Sequence, residues 1–174
     1  MNSRVPLLSF VFAGVLLASA NPHQVAPAKK QYASPDKMLL ASVVATNTGT
    51  AIDGSENRVE MRSATGELLA QEDFTSHDGE HGYAVIKAEW TPDSQFFVFS
   101  LESSGGHSPW HSPMKFYSRK QQRIISLDDA LHNSVTGEFV IGAPDKVTVH
   151  LWFKKRKVTV ALSELAETAT HRGQ

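Results

Sequence analysis

The sequence predicts an all-β fold: antiparallel hairpins in a propeller-blade-like or sandwich arrangement, behind a cleaved N-terminal signal helix. Two observations carry the prediction. Short runs rich in β-branched and aromatic residues recur along the chain, separated by clusters of Gly, Pro, Asn, Asp and Ser. Tyr83–Trp90 also alternates, with Tyr83, Val85, Lys87 and Glu89 on one side and Ala84, Ile86, Ala88 and Trp90 on the other, as a strand requires.

Taken in order, residues 1–20 have the form of an export signal. Arg4 precedes an apolar run from Val5 to Ala18, and Ala18-Ser19-Ala20 supplies the small residues of a cleavage site after Ala20. The run is short for a membrane span. Residues 21–37, with two Pro in their first half, read as a flexible leader, residues 38–165 as a single β domain, and residues 166–174 as a polar C-terminal tail. Within the domain, Met38–Ala45 is an apolar strand containing Val43-Val44. Arg58–Arg62 and Glu67–Asp73 flank the turn signal Ser63-Ala64-Thr65-Gly66. Phe96–Leu101 is dense enough in apolar residues to be buried on both faces. Met114–Tyr117 pairs with Arg123–Leu127, and Val147–Phe153 with Val158–Leu162 across Lys154-Lys155-Arg156-Lys157. Two short helices are expected: Leu127–His132, capped by Asp128 or Asp129, and Ala161–Thr168, with Ser163 as its cap.

The chain has no cysteine and a formal net charge of -1. Without thiols there is no disulfide framework, cysteine catalysis, thiolate zinc or iron–sulfur chemistry. An exported chain without disulfides fits a bacterial periplasmic or secreted protein. The near-balanced charge predicts no nucleic-acid partner and no membrane partner after signal cleavage.

A degenerate repeat runs through the domain. Ser34-Pro35-Asp36-Lys37-Met38-Leu39-Leu40 returns as Thr91-Pro92-Asp93-Ser94-Gln95-Phe96-Phe97, and each copy is followed by a hairpin, Val59–Leu69 and Lys115–Ile125. A weaker third unit joins Gly137–Gly142 to the Val147–Leu162 hairpin. The pattern of a Pro-Asp turn, four apolar positions, Ser and a hairpin resembles a blade of the TolB-like or WD-type β-propellers. In those blades the Pro-Asp turn precedes the second of four strands. Lys37 and Ser94 stand where Gly often follows Pro-Asp. The resemblance covers about half of the chain beyond the signal and implies blade-type sheets rather than any ligand. Two to three copies fall short of the roughly four blades that close a propeller. The resemblance therefore leaves open a partial propeller, an assembly of several chains or a sandwich, of which a compact sandwich-like or blade-stack monomer is the favoured reading.

Two loops hold paired histidines at equal spacing, His77-Asp78-Gly79-Glu80-His81 and His107-Ser108-Pro109-Trp110-His111. Neutral imidazoles suit zinc or copper, so His77, His81, His107 and His111 form a candidate metal set, completed by Asp78 or Glu80. Trp110, between Pro109 and Pro113 and flanked by His107 and His111, is a candidate ligand-binding platform. Asp53-Gly54-Ser55-Glu56-Asn57 lacks the spacing of a calcium loop and reads as a turn. The chain has no nucleophile elbow, phosphate loop or zinc-protease motif. The expected function is an exported, non-enzymatic binding module that takes an unknown protein or small ligand on the 105–113 loop. The alternatives are a zinc or copper protein built on the paired histidines, and a small hydrolase with an unrecognised site.

Overall fold

The computed structural model describes residues 27–46, 55–105 and 112–170. The fold is all-β, with three antiparallel sheets and two short helices. Sheet 1 comprises β1 (Lys29–Ala33), β2 (Leu39–Ala45), β3 (Asn57–Ser63) and β4 (Leu68–Asp73). Sheet 2 comprises β5 (Tyr83–Trp90), β6 (Phe96–Ser103), β7 (Met114–Ser118) and β8 (Arg123–Ser126). Sheet 3 comprises β9 (Val135–Gly142), β10 (Lys146–Leu151) and β11 (Arg156–Ala161). In every sheet the spatial order follows the chain order. Helices α1 (Leu127–Leu131) and α2 (Leu162–Thr170) follow β8 and β11.

Sheet 2 is the middle layer, because β6 is apolar at every position from Phe96 to Phe99. Side chains alternate across a strand, so Phe97, Phe99 and Leu101 point into sheet 1, where they meet Leu39, Ala41, Val43, Val59 and Met61. Phe96 and Val98 point the other way, with Met114 and Phe116, into Phe139, Val147 and Val149 of sheet 3. The rings of Tyr32, Trp90 and Phe99 each pack on Phe97 at centroid separations of 5.2 to 6.0 Å, a spacing at which tilted rings attract. Trp90 also donates its indole N–H to the Tyr32 carbonyl at 2.9 Å.

The outer faces of the stack are polar. On sheet 1, Gln31, Ser42, Glu60 and Gln71 lie in one row across the strands, and Arg58 and Arg62 both donate to the Glu60 carboxylate. On sheet 3, the Thr148 and Thr159 hydroxyls pair at 2.7 Å beside exposed Val140. Adding a sheet would desolvate the exposed Gln31 and Gln71 on one face and Thr159 on the other, which carries a cost unless each finds a new partner.

The repeat read from the sequence becomes two matching turns. Ser34 Oγ donates to Asp36 Oδ1 and accepts from Leu39 N, and Asp36 Oδ1 accepts from Met38 N. Thr91, Asp93, Gln95 and Phe96 make the same three bonds. Lys37 and Ser94 occupy the left-handed region at φ 60° and 62°. Sheet 3 has its own Pro-Asp, at residues 144–145, between β9 and β10, a correspondence absent from the third unit as read from the sequence.

Several expectations need correction. β1 lies inside the expected flexible leader and pairs with β2 from Lys29↔Val44 to Ala33↔Leu40. The α1 cap is Ser126, whose side chain accepts from Asp129 N; Asp128 instead accepts from Met114 N and Val135 N, tying β7 to β9. Helix α2 extends into the expected tail, and Ser163 is not its cap. Ser163 lies in the first turn and donates its N–H to Asp145 Oδ2. The β10–β11 turn is Trp152–Lys155, so Arg156 and Lys157 belong to β11.

Candidate functional site

In an antiparallel meander, successive connections alternate between two ends. The Pro-Asp turns and the short turns at 64–67 and 119–122 share one end. The long connections at 46–56, 74–82 and 104–113 share the other, together with the 152–155 turn.

The three long connections meet on Glu56, which is fully buried just before β3. Its Oε2 accepts from Ser76 N at 2.9 Å. Its Oε1 accepts from the Ser76 hydroxyl at 2.6 Å, the Ser104 hydroxyl at 3.0 Å and Gly82 N. Burial alone would raise this carboxyl, but the Ser76, Gly82 and Ser104 donors outweigh it and hold Glu56 below its ordinary range. The glycine at 82 is required by space: a Cβ there would lie 2.3 Å from the Phe74 carbonyl and 2.5 Å from Glu56 Cδ. Backbone bonds brace the same point, from Thr46 N to Glu56 O, Tyr83 N to Phe74 O and Ser104 N to Gly82 O, at 2.9 to 3.0 Å. Asn57 Oδ1 accepts from Val85 N at 2.7 Å.

The His77–His81 segment is a turn wound on Asp78. Asp78 Oδ1 accepts from Glu80 N and lies 2.8 Å from the Ser76 hydroxyl, whose single proton is shared between Asp78 and Glu56, and Oδ2 pairs with His81 Nδ1. These partners, the Glu80 amide first, hold the Asp78 carboxyl well below the usual carboxylate range. Both Asp78 oxygens are therefore engaged within the turn. Among the described residues, no group of three His, Asp or Glu side chains is placed to hold a metal ion.

Beside this turn lies a cavity of about 410 Å³, lined among others by Phe74, His81, Tyr83, Leu101, Pro113 and Lys115. Lys115 reaches across from β7 to pair with Glu72 on β4, and its ammonium lies 5.6 Å from the Phe74 ring centroid. The cavity thus has an aromatic wall, a cation and an imidazole at its rim. The second root of the 104–113 connection is held by close packing: a Cβ on Gly137 would lie 2.5 Å from Ser112 Cβ.

Of the candidate residues, His77 and His81 fall on the Asp78 turn. His107, Trp110 and His111 lie outside the described residues, as does the export signal. The Asp53–Asn57 stretch, read from the sequence as a turn, supplies the two side chains that organise this end. Its one legible clue was a Glu-Asn pair directly before a strand, with Ser and Gly donors in the loops that follow.

No protein-family profile matches the chain, and no curated protein matches it. Among the described residues, no helix is long and apolar enough to cross a membrane.

Proposed function

We propose that the chain is an exported, non-enzymatic binding module whose ligand or protein partner docks on the loop-bearing end, over the cavity between the 74–82 connection and the root of the Gly105–Pro113 loop. One observation carries the reading: three long connections are fastened to one buried carboxylate. A recognition loop on a fixed base loses less entropy on binding than a free one. Pro109 and Pro113 restrict the backbone of that loop further. The matched Ser34-Pro-Asp and Thr91-Pro-Asp turns also support reading the sheets as TolB-like or WD-type blades.

The test is ligand-observed NMR against mixtures of oligosaccharides and of peptides, with the chain and its Trp110→Ala and Lys115→Ala variants. A ligand whose signal is lost in Trp110→Ala at unchanged melting temperature supports the reading. Undiminished binding by both variants would overturn it.

A second reading has its own observation. Ser104 N bonds to Gly82 O, so the loop bearing His107 and His111 starts beside the turn bearing His77 and His81. Zinc or copper bound across the two would raise the melting temperature, and His77→Ala and His107→Ala would each abolish the rise. The absence of any rise with either metal removes this reading.

A further inference from the structure

From the tip of the β10–β11 hairpin we infer a second contact surface, independent of the binding reading above: a docking point for an anionic lipid bilayer. The hairpin closes through Trp152-Phe153-Lys154-Lys155, with Lys155 in the left-handed region at φ 45° and Trp152 N bonded to Ser134 O at 2.9 Å. The last strand pair before the turn is Leu151↔Arg156. Phe153 is 78% exposed and Trp152 39%, although β10 buries Val147, Val149 and Leu151 immediately before them. The sequence therefore places two aromatic side chains outside the core in the turn that closes the hairpin.

The same tip concentrates positive charge. Lys154, Lys155, Arg156 and Lys157 are all exposed, and none has an ion-pair partner among the described residues. Several cations elsewhere on the strands are paired. Arg58 and Arg62 pair with Glu60, Lys87 with Glu138, and Lys115 with Glu72. With a net charge of -1 overall, the chain outside this tip is acidic. The balanced total hides a local cationic point.

The combination selects a bilayer over other polyanions. Trp and Phe settle at the headgroup level of a membrane, where their rings leave water while neighbouring Lys and Arg stay with lipid phosphates. A nucleic acid would run past the tip along an acidic body that repels it. The hollow of about 410 Å³ that Trp152, Phe153 and Lys155 line with Thr136, His150 and Leu151 leaves Phe153 78% exposed, whereas a small-ligand site buries most of its apolar lining. Docked through this tip, the chain would turn its loop-bearing end toward the lipid, since the 152–155 turn and the 46–56, 74–82 and 104–113 connections share that end.

Co-sedimentation tests this directly, using the chain from Asn21 onward with vesicles of phosphatidylcholine and phosphatidylglycerol in equal parts, against pure phosphatidylcholine. Binding is expected to the anionic vesicles only and to weaken with salt. Lys154→Glu with Lys155→Glu removes two cations; at about five-fold per basic residue near the surface, partitioning falls about 25-fold or more. Trp152→Ala with Phe153→Ala falls by at least about ten-fold, the loss expected when two buried rings leave the interface. A blue shift of tryptophan emission on the vesicles, absent in Trp152→Phe, places that ring in the interface. Melting temperatures close to that of the parent chain show that the exposed substitutions leave the fold intact. The proposal is overturned by no partitioning, by equal partitioning onto neutral vesicles, by full binding of the aromatic pair variant, or by binding to inorganic polyphosphate without binding to vesicles.

Discussion

The backbone N–H of Asp36 donates to Ser94 Oγ at 3.0 Å, so the turn opening β2 is bonded to its counterpart opening β6. Arg119 closes the same seam from sheet 2 onto the Asp36 carboxylate. The Ser34 hydroxyl, then Arg119, hold that carboxyl well below the usual carboxylate range. The two turns share a backbone shape, but only one offers a side chain to the other.

That asymmetry gives opposite expectations for one substitution. Lys37 is exposed and sits at φ 60°. Lys37→Gly relieves a left-handed cost of about 1–2 kcal/mol and adds back part of it as unfolded-chain entropy, for a net gain of about 0.5–1 kcal/mol. Ser94→Gly relieves the same strain but removes the acceptor for Asp36 N, worth about 1 kcal/mol, so its net effect is near zero or negative. Urea midpoints of the two variants check this; equal gains would mean that the Asp36–Ser94 bond contributes nothing.

Gly82→Ala places a methyl against the Phe74 carbonyl and Glu56 Cδ. Overpacking of this kind costs about 1–3 kcal/mol, and neither neighbour is a free side-chain end. A melting temperature equal to the parent's would show that the Glu56 site yields easily.

Glu56 also sets an acid limit. Its folded pKa is lowered from 4.5, so its contribution is present above the unfolded value and is lost as pH falls through the folded one. Stability measured from neutral pH downward should decline below about 4.5, the unfolded reference for Glu. Glu56→Gln, which turns an N–H group toward existing donors, should cost about 2 kcal/mol or more at neutral pH and flatten that decline. An unchanged acid limb in Glu56→Gln would assign the decline to other carboxylates, such as Asp36 and Asp78.

Tyr117 is fully buried, and among the described residues its hydroxyl has no hydrogen-bond partner; burial pushes its pKa up. Tyr117→Phe removes an unsatisfied polar atom and should stabilise the fold by about 1 kcal/mol. Phe97→Ala, at the register position opposite Tyr117, should instead cost about 3–5 kcal/mol. Thermal unfolding of the two variants separates a polar atom without a partner from a ring the core needs.

Most strands were legible because their burial is written in their composition: Phe96–Leu101 is apolar in both directions, and the structure buries it in both. β1 was not legible. Lys29-Lys30-Gln31-Tyr32-Ala33 has a single half-buried residue, Tyr32; its place comes from backbone pairing with β2 and from the Tyr32–Phe97 ring contact, neither of which leaves an apolar pattern. Ser126 was missed as a cap because Asp128 and Asp129 are stronger local candidates, while Asp128 is drawn away by amides on β7 and β9. Glu56 was missed for a related reason. Its donors are 20, 26 and 48 residues further along the chain, and a carboxylate in a polar loop reads as solvated until those donors converge on it.

The separation of the two ends has a consequence for how this molecule can vary. At the Pro-Asp end, sheet-to-sheet bonds join the turns, so a change in turn length there would break the register of two layers at once. At the opposite end, the bonding that fastens the long connections rests on Thr46, Glu56, Phe74, Ser76, Gly82 and Ser104, which serve as their roots. Foreign segments exchanged between those roots would inherit a fixed span and orientation without disturbing the layers. The architecture separates a conserved-geometry chassis from interchangeable inserts, and makes the chain a scaffold for displaying grafted loops.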